Sequence, residues 1–91
     1  MRYFDWSSEK NDRLKQERDV IFEDVLIAID DGRLLDVISH KDTKKYPHQH
    51  VLVVAIRGYV YLVPYVEDDE KIFLKTIIPS RKATKKYLID T

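Results

Sequence analysis

The chain has 91 residues, 44% apolar and 35% charged, with 16 Lys and Arg balanced by 16 Asp and Glu, two Gly, three Pro and no Cys. A chain of this length buries only about 60–65% of its unfolded surface and supports one core, so a single domain over residues 1–91 is expected. The composition excludes a flexible tail, a disulfide scaffold and any cysteine-based zinc site or nucleophile. No apolar run reaches the roughly 18 residues of a membrane span or resembles a signal peptide, which gives the expectation of a cytoplasmic protein with no membrane role.

Ser7 or Ser8 can cap a first helix running to about Arg18, with Leu14 on its buried side and charges elsewhere. Asp19 resets the chain, and "VIFEDVLIAID" spaces Phe22, Val25, Leu26 and Ile29 three and four apart, the stripe of a second helix that Gly32 ends. The period then changes from 3.6 to 2. "RLLDVIS" reads as a short strand, "HKDTKKYPH" as a polar loop, and "QHVLVVAI" as a central strand, apolar on both faces.

Arg57-Gly58 predicts a tight hairpin turn into "YVYLVPYV", which sets Tyr59, Tyr61, Val63 and Tyr65 on one face and Val60, Leu62, Pro64 and Val66 on the other. Pro64 removes a ladder donor and marks a bulge, a strand end or an unpaired position. "EDDE" is a turn and "KIFLKTII" the last strand. Pro79 stops it, Ser80 caps, and Arg81 to about Ile89 closes the chain as a helix with Ala83 and Tyr87 inward. The expected fold is α+β: two N-terminal helices packed on one face of a four-stranded antiparallel sheet, then a short C-terminal helix, in the order ααββββα.

Neutrality conceals segregation. Residues 17–36 hold seven acids and two bases, whereas residues 71–91 hold six bases and one acid. The basic end, with Arg81, Lys82, Lys85 and Lys86 after Ser80, offers a place for phosphate. The sheet face away from the helices is expected to carry Tyr59, Tyr61 and Tyr65 beside Phe73, Lys75 and Ile77, aromatics and cations that could stack bases and pair phosphates. Tyrosines also fit any half-buried pleat.

His48 and His50 are two apart, but with His40 the only further histidine and no well-placed acid, no metal is expected; general acid–base duty suits one of them better. Trp6, beside a helix start, reads as a staple or lid over the core. Ribose hydroxyl attack on the neighbouring phosphate requires a proton acceptor, a proton donor and cations, all available from Arg, Lys, His and Tyr without metal.

Both ends of the chain carry a recognisable pattern. Trp6 is followed by Lys10, then Val20 and Phe22-Glu23, and the chain closes on "PSRKATKKY" with Ser80, Arg81, Lys82, Ala83 and Thr84 in order. In these motifs and in the element order it resembles the BrnT-like toxins of the RelE/ParE-like superfamily. The resemblance implies a metal-independent endoribonuclease, the toxin of a bacterial type II toxin–antitoxin system. It implies a cognate antitoxin, usually of ribbon-helix-helix type and able to form a heterotetramer with the toxin, and no cofactor.

The implied catalytic set is Arg81, Lys82, His50, His48 and Arg18, with Lys10, Tyr59, Tyr61, Lys75 and Lys85 on the RNA. One departure matters: Glu17-Arg18-Asp19 stands where the family has Lys-His-Gly, and Arg18 cannot shuttle protons near neutral pH. Either His48 or His50 replaces the histidine, or Arg18 steadies charge while another group is the base, or activity is reduced or lost. The alternative reading is a non-catalytic, toxin-like interaction module that acts with an antitoxin in transcriptional autoregulation.

Overall fold

The computed structural model describes residues 2–39 and 41–89. It is α+β, built from β1 (Tyr3–Asp5), α1 (Ser8–Arg18), α2 (Phe22–Asp30), β2 (Leu34–Ser39), β3 (Gln49–Ile56), β4 (Tyr59–Glu67), β5 (Lys71–Leu74), β6 (Ile78–Pro79) and α3 (Arg81–Thr84), which runs on as a π-helical turn, Lys85–Ile89. The sheet order is β1-β5-β4-β3-β2, with β6 also on β4. Among the described residues no helix is long and apolar enough to cross a membrane. His40, weighed above as a third imidazole, lies outside the described residues.

The expected helix signals operate. Ser7 Oγ accepts the Lys10 N–H at 3.2 Å, Asp19 ends α1 in the left-handed region at φ 52°, and Leu14 is buried. Asn11 ties the two helices together. Its Oδ1 accepts the Phe22 N–H at 2.8 Å, satisfying a free donor at the start of α2, and its Nδ2 donates to Glu23 Oε1 at 2.9 Å. Arg57 and Gly58 both have positive φ, 51° and 78°, the backbone that a two-residue hairpin turn requires.

The sheet has six strands where four were expected. Tyr3–Asp5 adds β1, parallel to β5 in the register Tyr3↔Lys71. "KIFLKTII" is divided rather than continuous. Tyr65 pairs Leu74, but Tyr61 pairs Pro79, so residues 75–77 hold one residue more than the β4 stretch opposite them. Pro64 sits opposite this bulge; it offers no N–H, and its carbonyl takes the Lys75 N–H at 2.8 Å. Pro79, expected to stop the sheet, instead belongs to β6.

One core cluster joins Leu14, Val20, Phe22, Val25 and Ala28 to Leu52, Val54, Ile56, Val63, Tyr65, Leu74 and Ile77. Trp6 stacks on Phe22 with ring centroids 5.6 Å apart, as the staple expected of it. The helices therefore cover the face bearing the odd-numbered positions of β4. The other face is crossed by α3, where Thr84 Oγ1 accepts the buried Val60 N–H at 2.9 Å.

Candidate functional site

The alternation predicted for β4 is present, but the open face shared by three tyrosines and Lys75 is not; Tyr65 and Lys75 meet at a small hollow of about 120 Å³ that His50 also lines. Val63 is fully buried in the core, and strand parity turns Tyr59, Tyr61 and Tyr65 to the same side, under the helices. Tyr65 is buried and Tyr61 packs on the core, while Tyr59 meets Tyr61 edge-on at 5.8 Å. Burial raises the Tyr65 phenol above its ordinary value, with Glu67 adding to the rise. The bulge also separates the expected trio on the next strand: Ile77 turns into the core, while Lys75 is exposed.

The remaining candidate residues fall into separate places. Arg18 extends its guanidinium to the Ile77 carbonyl, with Nη1 2.7 Å from the oxygen, and so fastens the end of α1 to the bulge. Lys10 is in the first turn of α1, half-buried. His48 is exposed in the loop, where its carbonyl accepts the Glu67 N–H at 3.1 Å. His50 is half-buried, its Nε2 3.3 Å from Glu67 Oε1 and its ring 5.3 Å from that of Tyr65; Glu67 Oε2 also takes Arg2 at 2.5 Å.

Arg81, Lys82 and Lys85 are exposed on the C-terminal turns. His50 lies opposite Tyr65, whereas β6, which leads into α3, lies opposite Tyr61 and Leu62. At about 3.3 Å per residue, roughly 10–13 Å of β4 separates them, and they flank opposite faces of the sheet. The imidazole and the C-terminal cations do not share a reaction centre.

What the C-terminal turns do form is a groove on the outer face. Ile38, Val53 and Leu62 belong to the sheet; Lys82, Ala83 and Tyr87 belong to the segment packed on it, and the space between is about 190 Å³. Ser80 builds this wall locally: its Oγ accepts the Ala83 N–H at 3.0 Å and its carbonyl accepts the Thr84 hydroxyl at 2.8 Å. Ala83 and Tyr87 are half-buried as expected, with Thr84 the more deeply buried.

The outer face continues past the groove through Val51, Pro64, Val66 and Phe73, all half-exposed, with Lys71 Nζ 5.8 Å from the Phe73 ring centre. Among the described residues no carboxylate lies within ion-pair reach of Lys75, Arg81, Lys82 or Lys85. The result is an apolar strip rimmed by uncompensated cations. Sequence reasoning missed it because Ile38, Leu62 and Val66 read as ordinary strand residues; the available signal was that the strands are apolar on both faces while the chain has a single pair of long helices to cover one.

Among the described residues no three His, Asp or Glu side chains stand close enough to hold a metal ion. No protein-family model matches the chain, and no curated protein does.

Proposed function

We propose that this chain is the toxin-like member of a bacterial toxin–antitoxin pair and that it works there by binding its partner, in complexes that include a heterotetramer and contribute to transcriptional autoregulation. The observation that carries this reading is the outer sheet face. A half-exposed apolar strip with a rim of unpaired Lys and Arg suits an acidic, amphipathic segment of another protein, which would remove the apolar area from water and neutralise the rim. The motif pattern from Trp6 to Thr84 supports the toxin-like assignment. The engagement of Arg18 by a backbone carbonyl and the distance of His50 from Arg81 favour binding over catalysis.

Co-expression with the product of the adjacent reading frame tests it. The expected result is a stable co-purifying complex that Lys82→Glu combined with Leu62→Asp disrupts, and intact RNA after incubation with the isolated chain. Failure of any such partner to bind would remove the reading.

A second reading, a metal-independent endoribonuclease, is favoured by one feature: Arg81, Lys82 and Lys85 are exposed cations within two adjoining turns, able to hold a phosphodiester. Its signature is RNA cleavage that persists in a chelator and is abolished by Arg81→Ala. Intact RNA in the wild-type reaction excludes it.

A further inference from the structure

Two features lie outside the lining of the outer-face groove. The first is the outer side of α2. Val25 to Ile29 are five consecutive apolar residues, more than a helix packed on one side uses. Val25 and Ala28 are buried, Leu26 and Ile29 half-buried, and Ile27 is 54% exposed. Leu26, Ile27 and Ile29 line, with Phe4, a shallow concavity of about 430 Å³ bordered by Asp30. The last turn of α2 carries no base, although the carbonyl end of a helix favours cations. Asp30 and Asp31 therefore stand where the helix field opposes them, and among the described residues Arg33, 3.1 Å from Asp31, is the ion-pair partner they have.

The second is the π-helical turn at the other end of the chain. Leu88 is exposed, and Ile89, at 69%, is the most exposed large apolar side chain among the described residues. Lys85 precedes them, and among the described residues it has no ion pair. Lys86 is already engaged near Tyr87 and Asp36.

We propose that the C-terminal turn of one copy docks into the α2–β1 concavity of a second copy. Leu88 and Ile89 cover Phe4, Leu26 and Ile27, and Lys85 faces Asp30 and Asp31. A second copy is the occupant that the chain itself argues for: it carries an acidic apolar hollow, in which Asp30 has no ion pair among the described residues, and a basic apolar protrusion in equal number. Reciprocal exchange closes a two-fold dimer, whereas one-way docking builds open chains. Each contact is small beside the roughly 1,200 Å² of a stable interface, so one docking alone is weak and two together make the association measurable. The charge component makes it salt-sensitive.

Sedimentation velocity on the whole chain, over a concentration series at low and high salt, tests this without partner or RNA, so its outcome is independent of the partner-binding reading. The wild type is expected to move from monomer toward dimer with concentration, and less so at high salt. Ile27→Glu and Ile89→Glu should remain monomeric with unchanged far-ultraviolet circular dichroism. Asp30→Lys and Lys85→Glu should each weaken self-association by about tenfold, since each turns attraction into repulsion. An equimolar mixture of those two variants should recover the association, because every pocket–tail pair between unlike copies is again of opposite charge. A wild type that stays monomeric throughout, or a mixture no better than its components, overturns the proposal.

Discussion

Tyr87 donates its phenolic hydrogen bond to Asp36 Oδ2 at 2.7 Å, fastening the C-terminal turn to the edge strand β2. The other oxygen, Oδ1, accepts the Val37 N–H at 2.8 Å. One carboxylate thus holds down a helical turn and occupies a backbone donor on a sheet edge that exposes Val37 and Ile38.

The first prediction concerns this carboxylate. Tyr87, the Val37 N–H and nearby Lys86 hold Asp36 below the ordinary carboxylate range, and Asp36 in turn raises the Tyr87 phenol. A lowered folded-state pKa means that the native state prefers the ion. The contribution to stability is therefore present above the unfolded pKa and is lost as pH falls through the folded one. Tyr87→Phe should move the Asp36 midpoint upward in a carbon-detected NMR titration. An unchanged midpoint would show that the phenol does not reach the carboxylate in solution.

Arg18 supplies a second test, because its guanidinium serves the carbonyl of the fully buried Ile77. Arg18→Ala leaves that oxygen without its charged donor and should cost about 1–3 kcal/mol in urea denaturation. Arg18→Lys should recover part of it, since an ammonium can reach the same acceptor with a single point charge. A neutral Arg18→Ala would contradict a structural role for this residue.

Thr84 gives a cleaner case. Its hydroxyl accepts the buried Val60 N–H, so Thr84→Val keeps the shape and orphans the donor, for an expected loss of about 1–3 kcal/mol. Thr84→Ser keeps the oxygen and should lose less. Hydrogen exchange at the Val60 amide distinguishes them, with faster exchange in the valine variant alone.

Phe22 is fully buried beneath Trp6. Phe22→Ala removes the largest fully buried side chain among the described residues and should cost about 3–5 kcal/mol, much of the 5–15 kcal/mol typical of small domains. The variant's thermal transition should fall sharply; a shift of only a few degrees would place the centre of the core elsewhere.

Local signals in the sequence were strong where one residue type had one physical use. Ser7 and Ser80 at helix starts, Gly32 and the Arg57-Gly58 turn each identified their own position. Alternation along β4 was equally plain, but alternation states which residues are together, not which set meets the helices. With Val60 and Val63 both fully buried, the strand is apolar on its two sides and parity has no preferred sign. That ambiguity inverted the expected placement of Tyr59, Tyr61 and Tyr65, and with it the aromatic site.

Two strands were hidden for other reasons. Three residues at Tyr3–Asp5 are too few for a period, and their partner lies in β5, far along the chain. The division of the last strand depended on Pro64, whose effect fell on the facing segment and not on its own. The Arg18 contact was likewise illegible, since a side chain's choice of a carbonyl 59 residues away leaves no local pattern.

The parallel pairing of Tyr3 with Lys71 has a consequence for biosynthesis. β1 leaves the ribosome long before β5, the strand it pairs with in the sheet. Until β5 emerges, the nascent chain presents β3 and β4, its most aliphatic segments, without their final border. Docking of β1 thus waits for β5, and chaperone occupancy should persist until β5 has emerged.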